Sequence, residues 1–186
     1  MSIRIIGGEL KGRKLVTVPG TDTRPTADRV RESIFNILGD GVRGARVLDL
    51  FAGTGAMGIE ALSRGAQFVF FAEGHTSALA ALEKNIKTCS LESRANAIKW
   101  NILDNLNIIR SHKPAFNLVF IDPPYNRDMI RPTLSNLAMS QCLATGARLA
   151  LEHSSLEPIP EKRSEFEIAD QRRYGKTLVS FLIYMV

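Results

Sequence analysis

The sequence predicts an α/β fold in which a seven-stranded, mostly parallel sheet with an antiparallel last strand follows a small N-terminal β-hairpin extension. From residue 46 onward, short apolar runs alternate with helical patterns, which is typical of repeated βα units. The segment between the last two apolar runs is too short for a crossover helix, so these strands should pair antiparallel. The predicted strands are residues 46–50, 68–72, 97–100, 117–121, 147–151, 166–169 and 179–184.

The helical patterns lie before and between these runs. One helix should begin at Thr26, a capping residue, and end at Leu38, just before two glycines. Its apolar stripe leaves Arg29 and Arg31 on more polar sides. The other predicted helices are residues 57–64, 77–87, 104–110 and 129–139.

Two strand-like runs at the start of the chain, residues 4–7 and 13–18, flank a group of glycines and predict the hairpin. We therefore expect a basic N-terminal extension over residues 1–25. The main domain should then occupy residues 26–186.

The composition suits one compact domain, since 45% of the 186 residues are hydrophobic and 23% are charged. No apolar run approaches the roughly 20 residues that span a bilayer, and the start of the chain has no hydrophobic signal core. Cys89 and Cys142 lack the paired spacing of a zinc or redox site, and the three histidines are scattered. We expect a cytoplasmic monomer with buried, reduced thiols, no metal and no membrane contact.

The net charge of +5 is concentrated at one end of the chain. Residues 1–31 contain seven basic residues and three acids, a net charge of +4. A basic segment on a nearly neutral body suits binding to a polyanion, although a solvated surface explains the charge equally well. The candidate RNA contacts are Arg4, Lys11, Arg13, Lys14, Arg24, Arg29 and Arg31.

A glycine-rich turn joins the strand at residues 46–50 to the next helix. Its spacing, Gly53-x-Gly55-x-x-Gly58, also matches a dinucleotide-binding loop, so a nicotinamide-dependent oxidoreductase is a real alternative. Asp49 argues against it, because a carboxylate beside the loop repels a pyrophosphate and attracts a cationic amino-acid group. S-adenosylmethionine carries such a group, and a methyltransferase is favoured.

Two further polar residues follow the next strands. Glu73 is placed to accept hydrogen bonds from a ribose diol, and Asn101 to contact an adenine edge. The candidate cofactor-binding residues are Asp49, Phe51, Ala52, Gly53, Thr54, Gly55, Glu73 and Asn101.

The most specific signal is the tetrapeptide Asp122-Pro123-Pro124-Tyr125, directly after an apolar strand. The two prolines make a rigid loop and donate no hydrogen bonds, so the Asp122 carboxylate and a proline carbonyl are available to orient an exocyclic amine. Tyr125 offers a flat face for stacking the target base. These four residues are the candidate catalytic group. Neither cysteine lies in such a loop, which disfavours a pyrimidine C5 methyltransferase.

With these motifs, the chain resembles the bacterial RsmD family, whose members methylate guanine N2 in 16S ribosomal RNA. The resemblance covers almost the whole chain. It includes residues 4–8, 11–15, 24–26 and 28–32, together with the glycine loop and the tetrapeptide. The chain departs from the family at Gly74-His75, where the family more often has lysine and aspartate after the ribose acid.

The resemblance implies a Rossmann-like class I methyltransferase fold, S-adenosylmethionine as methyl donor and small-subunit ribosomal RNA as partner, free or in an assembling ribonucleoprotein. It also implies that residues 122–125 hold the guanine. Three alternatives stay open on the residues alone: an adenine-N6 or other nucleic-acid amino-methyltransferase, the oxidoreductase, and a non-catalytic RNA-binding module.

Overall fold

A computed structural model describes residues 3–18, 25–110, 115–159 and 164–186 of the chain. The helices are α1 (Pro25–Leu38), α2 (Ala56–Ser63), α3 (Thr76–Thr88) and α4 (Ile130–Ser140), with 3₁₀ turns at Gly39–Val42 and Asn107–Ile109. The strands are β1 (Arg46–Leu50), β2 (Phe68–Glu73), β3 (Ala95–Lys99), β4 (Phe116–Ile121), β5 (Leu143–Ser154), β6 (Phe166–Tyr174) and β7 (Thr177–Tyr184).

The seven strands form one sheet in the order β3-β2-β1-β4-β5-β7-β6. Strands β1 to β5 are parallel to their neighbours, while β7 is antiparallel to both β5 and β6. The predicted mixed sheet is therefore confirmed. The chain order reverses between β1 and β4, the position where open α/β sheets bind ligands at the carboxyl ends of their strands.

Two layers of apolar side chains cover the two faces of the sheet. On one face, Val30, Ile34 and Phe35 of α1 pack with Val47, Phe120 and other sheet residues. On the other face, α4 and the turns after β3 pack against the alternate strand residues. Both faces of the central strands are buried, as expected for a parallel sheet covered by helices.

In the glycine loop between β1 and α2, neighbouring side chains leave no room for a Cβ atom at two of the glycines. Gly55 adopts φ 83°, and a Cβ there would lie 2.3 Å from a methyl group of Leu82. A Cβ on Gly58 would lie 2.2 Å from the ring of Phe71. The glycines therefore let α2 pack closely on β2, and they fix the loop at the carboxyl end of β1.

Two sequence-based expectations about local structure were wrong. Helix α1 begins at Pro25, so Thr26 lies in its first turn, where proline is well tolerated. The helix expected at residues 104–110 is a series of turns with one short 3₁₀ segment. The predicted N-terminal hairpin is present as a short antiparallel pairing around the bridge between Arg4 and Lys14, in which Ile5 N donates to Arg13 O at 3.0 Å and Leu15 N donates to Ile3 O at 2.9 Å. In the described part of the chain, no helix combines the length and apolar character needed to cross a membrane.

Candidate active site

A cleft opens at the carboxyl ends of the strands, next to the point where the chain order reverses. A cavity of about 440 Å³ adjoins one of about 220 Å³, and both are lined by Phe51, Asp122 and Glu152. We call these two cavities together the cleft. The larger cavity is also lined by Glu73, His75, Trp100, Asn101 and Tyr125. The smaller is also lined by Arg31, Asp49, Ala52, Gly53 and Thr54.

Glu73, at the end of β2, is buried and fixed by the backbone around it. Its Oε2 accepts a hydrogen bond from Gly53 N at 2.7 Å, and its Oε1 accepts one from His75 N at 2.7 Å. A carboxylate has about four acceptor positions. Glu73 therefore has acceptor capacity left for a ligand while its orientation is set by the protein.

Asp49 lies one residue before the end of β1 and is only 3% exposed. Its Oδ2 accepts a hydrogen bond from Gly58 N at 2.9 Å. Burial raises the pKa of Asp49 to about 7. The hydrogen bond from Gly58 lowers this pKa, and the negative charge of Glu73 raises it. A ligand cation beside Asp49 would favour its ionised form and lower this pKa.

Phe51 has φ 60°, a conformation that is uncommon for residues other than glycine and is a source of backbone strain. The next residue, Ala52, donates its N–H to Ala72 O at 3.2 Å, which ties the loop to the end of β2. Phe51 contributes to both cavities. The strained backbone therefore places an aromatic residue where the two halves of the cleft meet.

The predicted catalytic loop, residues 122–125, forms one wall of the larger cavity. Tyr125 Oη donates a hydrogen bond to Glu152 Oε1 at 2.5 Å and lies 3.1 Å from Thr177 Oγ1. The backbone N–H of Asn126 donates to Glu157 Oε2 at 2.9 Å. These contacts hold the end of the loop against β5 and the turn that follows it.

Asp122 lies at the end of β4 and is exposed to the open space of the cleft. Desolvation by the surrounding protein atoms raises the pKa of Asp122 well above its usual value, and the like charges of Glu152 and Asp49 raise it further. Burial also raises the pKa of Glu152, against the effect of the Tyr125 hydrogen bond. The cleft is therefore an acceptor-rich site that favours ligands with positive charge or hydrogen-bond donors.

Asn101 lies on the wall of the larger cavity, but its amide is engaged in a local turn. Its Nδ2 donates to Asp104 Oδ1 at 2.8 Å, and its Oδ1 accepts from Leu103 N at 3.2 Å. Contact with an adenine edge would use the remaining amide hydrogen or lone pair. The assignment of Asn101 to the cofactor stays a prediction.

Several residues of the cleft were missed by the sequence reasoning. Trp100, Ile102, Leu103 and Met129 add an apolar lining to the larger cavity. Glu152 borders both cavities, next to the catalytic loop. Two features of the sequence could have indicated some of these residues. Glu152 is an acid directly after the apolar run 147–151, and Ile102 and Leu103 are an apolar pair shortly after β3.

The N-terminal segment packs on the helices beside the glycine loop. Glu60 of α2 is fully buried and accepts hydrogen bonds from Ile6 N at 2.7 Å and Gly7 N at 2.8 Å. Asn85 of α3 bonds both backbone groups of Val16, and its Nδ2 also donates to Thr54 O at 2.9 Å. Asn85 therefore links the N-terminal segment to the glycine loop.

Most of the candidate RNA contacts lie on this segment and at the start of α1. Arg24 lies outside the described residues. The exposed members are Arg4, Lys11, Arg13, Lys14 and Arg29.

Arg31 does not fit the expectation of a polar, accessible side chain. It is only 5% exposed, and its Nη2 donates to Arg4 O at 2.5 Å and contacts Asp28 Oδ1 at 3.2 Å. Its Nε lies 3.9 Å from Glu60 Oε2. Arg31 is buried because the N-terminal segment covers it, and it lines the smaller cavity instead of the outer surface.

Comparisons with known proteins agree with this architecture. The model of the family described as Conserved hypothetical protein 95 matches residues 3–183. Ribosomal RNA small subunit methyltransferase D of Haemophilus influenzae is 37% identical over 159 residues, 84% of this chain and 81% of that protein. The protein of the same name from Escherichia coli K12 is 33% identical over 182 residues, 98% of this chain and 89% of that protein.

Among solved structures, yhhF from Escherichia coli is 31% identical and has a TM-score of 0.86, with 100% of this chain and 99% of that chain covered. This similarity and the strand order confirm the Rossmann-like class I methyltransferase fold. The chain belongs to the Conserved hypothetical protein 95 family, which is the RsmD family indicated by its motifs.

Proposed function

We propose that this protein transfers a methyl group from S-adenosylmethionine to the exocyclic N2 of a guanine in small-subunit ribosomal RNA. The observation that carries the proposal is the position of Asp122 and its proline loop in the same cleft as Glu73 and Asp49. The family relatives are named as small-subunit ribosomal RNA methyltransferases, which supports the same activity.

The residues of the cleft fit each polar part of S-adenosylmethionine. Glu73 is suited to the ribose hydroxyls and Asp49 to the ammonium group, as both are carboxylates with defined orientations. Arg31 is suited to the carboxylate, because this cation lines the smaller cavity together with Asp49. Ile102 and Leu103 provide apolar contacts for the adenine. When bound, S-adenosylmethionine supplies an electrophilic methyl group on a positively charged sulfur.

The protein's part in the reaction is to position the amine and receive its proton. A base amine is a weak nucleophile because its lone pair is delocalised into the ring. Asp122 and a proline carbonyl accept its two hydrogens and direct the lone pair toward the methyl group. The amine must lose one proton when it is methylated, and the Asp122 carboxylate would be placed to take that proton. The raised pKa of Asp122 makes this carboxylate a better proton acceptor than an ordinary aspartate.

The RNA would be held by the basic N-terminal segment. Four exposed cations of this segment, Arg4, Lys11, Arg13 and Lys14, together with Arg29 of α1, are available to phosphate groups. Glu60 and Asn85 connect this segment to the helices beside the cofactor loop. We propose that residues 1–25 act as an RNA-binding extension of a cytoplasmic enzyme.

The test is methyl transfer from labelled S-adenosylmethionine to undermethylated small-subunit RNA, with analysis of the labelled nucleoside. N2-methylguanosine is the expected product. A labelled methyladenosine would instead favour the alternative amino-methyltransferase, and binding of NAD without binding of S-adenosylmethionine would favour the oxidoreductase.

A further inference from the structure

Glu152 lies beside the catalytic aspartate on the neighbouring strand. In the pairing of β4 with β5, Ile121 is opposite Leu151, so the next residues, Asp122 and Glu152, end up side by side. Parallel strands are about 4.8 Å apart. Both side chains line both cavities of the cleft, which places two carboxylates next to each other in the same site.

The two oxygens of Glu152 have different surroundings. Oε1 accepts the hydrogen bond from Tyr125 Oη at 2.5 Å, which fixes the orientation of the carboxyl group. Oε2 has no hydrogen-bond donor within the described residues, although the residue borders the cleft. An acceptor that is oriented by the protein and open to the cleft is suited to a donor on the ligand.

We propose that Glu152 selects guanine over adenine by accepting the N1–H of the target base at Oε2 while Asp122 accepts hydrogens of the neighbouring N2 amine. This inference rests on the proposed function. Guanine carries two adjacent donors on its pairing edge, N1–H and N2–H, which match two adjacent carboxylates. In adenine and cytosine, the ring nitrogen next to the amine has a lone pair and no hydrogen. A carboxylate that faces this nitrogen is repelled by the lone pair, and neither the carboxylate oxygen nor the ring nitrogen obtains a hydrogen bond.

The tetrapeptide alone does not determine which base is methylated. The residues 122–125 recognise an amine, which guanine, adenine and cytosine all possess. The group that distinguishes these bases is the ring nitrogen next to the amine. In this cleft, Glu152 is the acceptor nearest to the catalytic aspartate in the sheet register, so it is placed to read that nitrogen.

The experiment replaces the target guanine with 2-aminopurine, which keeps the N2 amine but has a lone pair at N1. Once the nucleotide methylated by the wild type has been mapped, ligated small-subunit RNA carries guanine or 2-aminopurine there. The wild type should prefer guanine by at least about tenfold in kcat/KM, because an acceptor is left unpaired in the analogue. Glu152→Gln, whose amide also donates, should reduce this preference to about threefold or less.

Glu152→Asp and Tyr125→Phe are the matched variants. Glu152→Asp keeps a carboxylate and should keep the preference for guanine at a lower rate. Tyr125→Phe removes only the hydroxyl that holds Oε1 and should retain a larger guanine preference than Glu152→Gln. Binding of S-adenosylmethionine, measured by calorimetry, reports that each variant is folded.

An equal guanine preference in the wild type and Glu152→Gln would overturn the inference. So would a loss of preference in Tyr125→Phe as large as in Glu152→Gln, because Glu152 would then act only through the tyrosine. Failure of the proposed function is a separate result, since it would appear as absence of N2-methylguanosine in the wild-type reaction itself.

Discussion

At the scale of single residues, Asp122 is the group that we propose orients the amine and receives its proton. Desolvation and the neighbouring charges of Glu152 and Asp49 raise the pKa of Asp122, yet the carboxyl group must be ionised for both of these roles. A cation in the cleft offsets that repulsion and favours the ionised form. Cofactor binding should therefore prepare the catalytic carboxylate electrostatically.

The Asp122→Ala variant should bind S-adenosylmethionine and RNA nearly normally and lose about 10² to 10³ in turnover, as expected for a preorganised polar group that acts in the transition state. Tyr125→Ala should lose less, since a stacking face contributes about 1 to 3 kcal/mol to base binding. Single-turnover methyl transfer and calorimetry measure the two effects. Near-normal turnover in Asp122→Ala would show that the loop only shapes the cleft.

Asp49 gives the cofactor site a pH dependence whose sign follows from its raised pKa of about 7. An ammonium group favours ionised Asp49, so affinity should be highest above this pKa and fall as the pH falls through it. For S-adenosylhomocysteine, which has the ammonium group but no sulfonium charge, we expect about tenfold weaker binding at about pH 5.5 than at about pH 7.5. Asp49→Asn should bind weakly with little pH dependence. An unchanged pH profile in that variant would assign the titration to another group.

At the scale of elements, the N-terminal segment and α2 are joined by a buried ionic group. Glu60 is fully buried and contacts Arg31 and Arg64 as well as two backbone N–H groups. Glu60→Ala should lower the free energy of unfolding by about 3 to 5 kcal/mol, because it leaves buried cations and donors without partners. Glu83→Ala, an exposed site on the next helix, should change it by about 0.5 kcal/mol or less. Urea unfolding measures both, and equal effects would contradict this role of Glu60.

The exposed cations of the N-terminal segment and of the start of α1 should set the salt dependence of RNA binding. Replacing Lys11, Arg13, Lys14 and Arg29 with alanine should weaken binding and reduce the log–log salt slope by about 0.7 to 0.9 for each lost phosphate contact. Affinity for S-adenosylmethionine should hardly change.

Arg43 and Arg110 provide the matched control, since both are exposed cations outside the N-terminal segment and α1. Replacing these two with alanine should leave the salt slope nearly unchanged. A quadruple variant with the slope of the wild type would show that the basic segment is only a solvated surface. Filter binding at several salt concentrations provides the slopes.

The sequence predicted the elements whose periodicity reflects burial, and it failed where side chains compete for backbone hydrogen bonds. Residues 104–110 look helical, but Asn101 and Asn105 accept hydrogen bonds from backbone N–H groups two residues later and favour turns. The N-terminal hairpin pairs over only a few residues, and the backbone N–H groups of Ile6, Gly7 and Val16 donate to the side chains of Glu60 and Asn85. Such distant partners are not visible in a local pattern.

In the candidate site, too, the residues marked by a local sequence pattern could be predicted, and the residues whose position depends on distant parts of the chain could not. Asp49, Glu73 and Asp122 were predictable because each lies at or beside the carboxyl end of a recognisable strand. Arg31 was assigned to the surface because its burial depends on a segment folded over it. Glu152 was missed because only the register of β4 with β5 brings it beside Asp122.

At the scale of the whole molecule, the fold places the glycine loop and the tetrapeptide at residues 122–125 at the ends of two adjacent strands, β1 and β4. It also attaches a basic segment to the neighbouring helices α2 and α3. This arrangement predicts that one guanine of small-subunit RNA is brought to the cleft in the cell. The most direct measurement is mass mapping of modified nucleosides in small-subunit RNA from cells with and without this gene. We predict that one N2-methylguanosine disappears without the gene and returns with the wild type but not with Asp122→Ala; identical maps, or the loss of a methyladenosine instead, would contradict the proposed function.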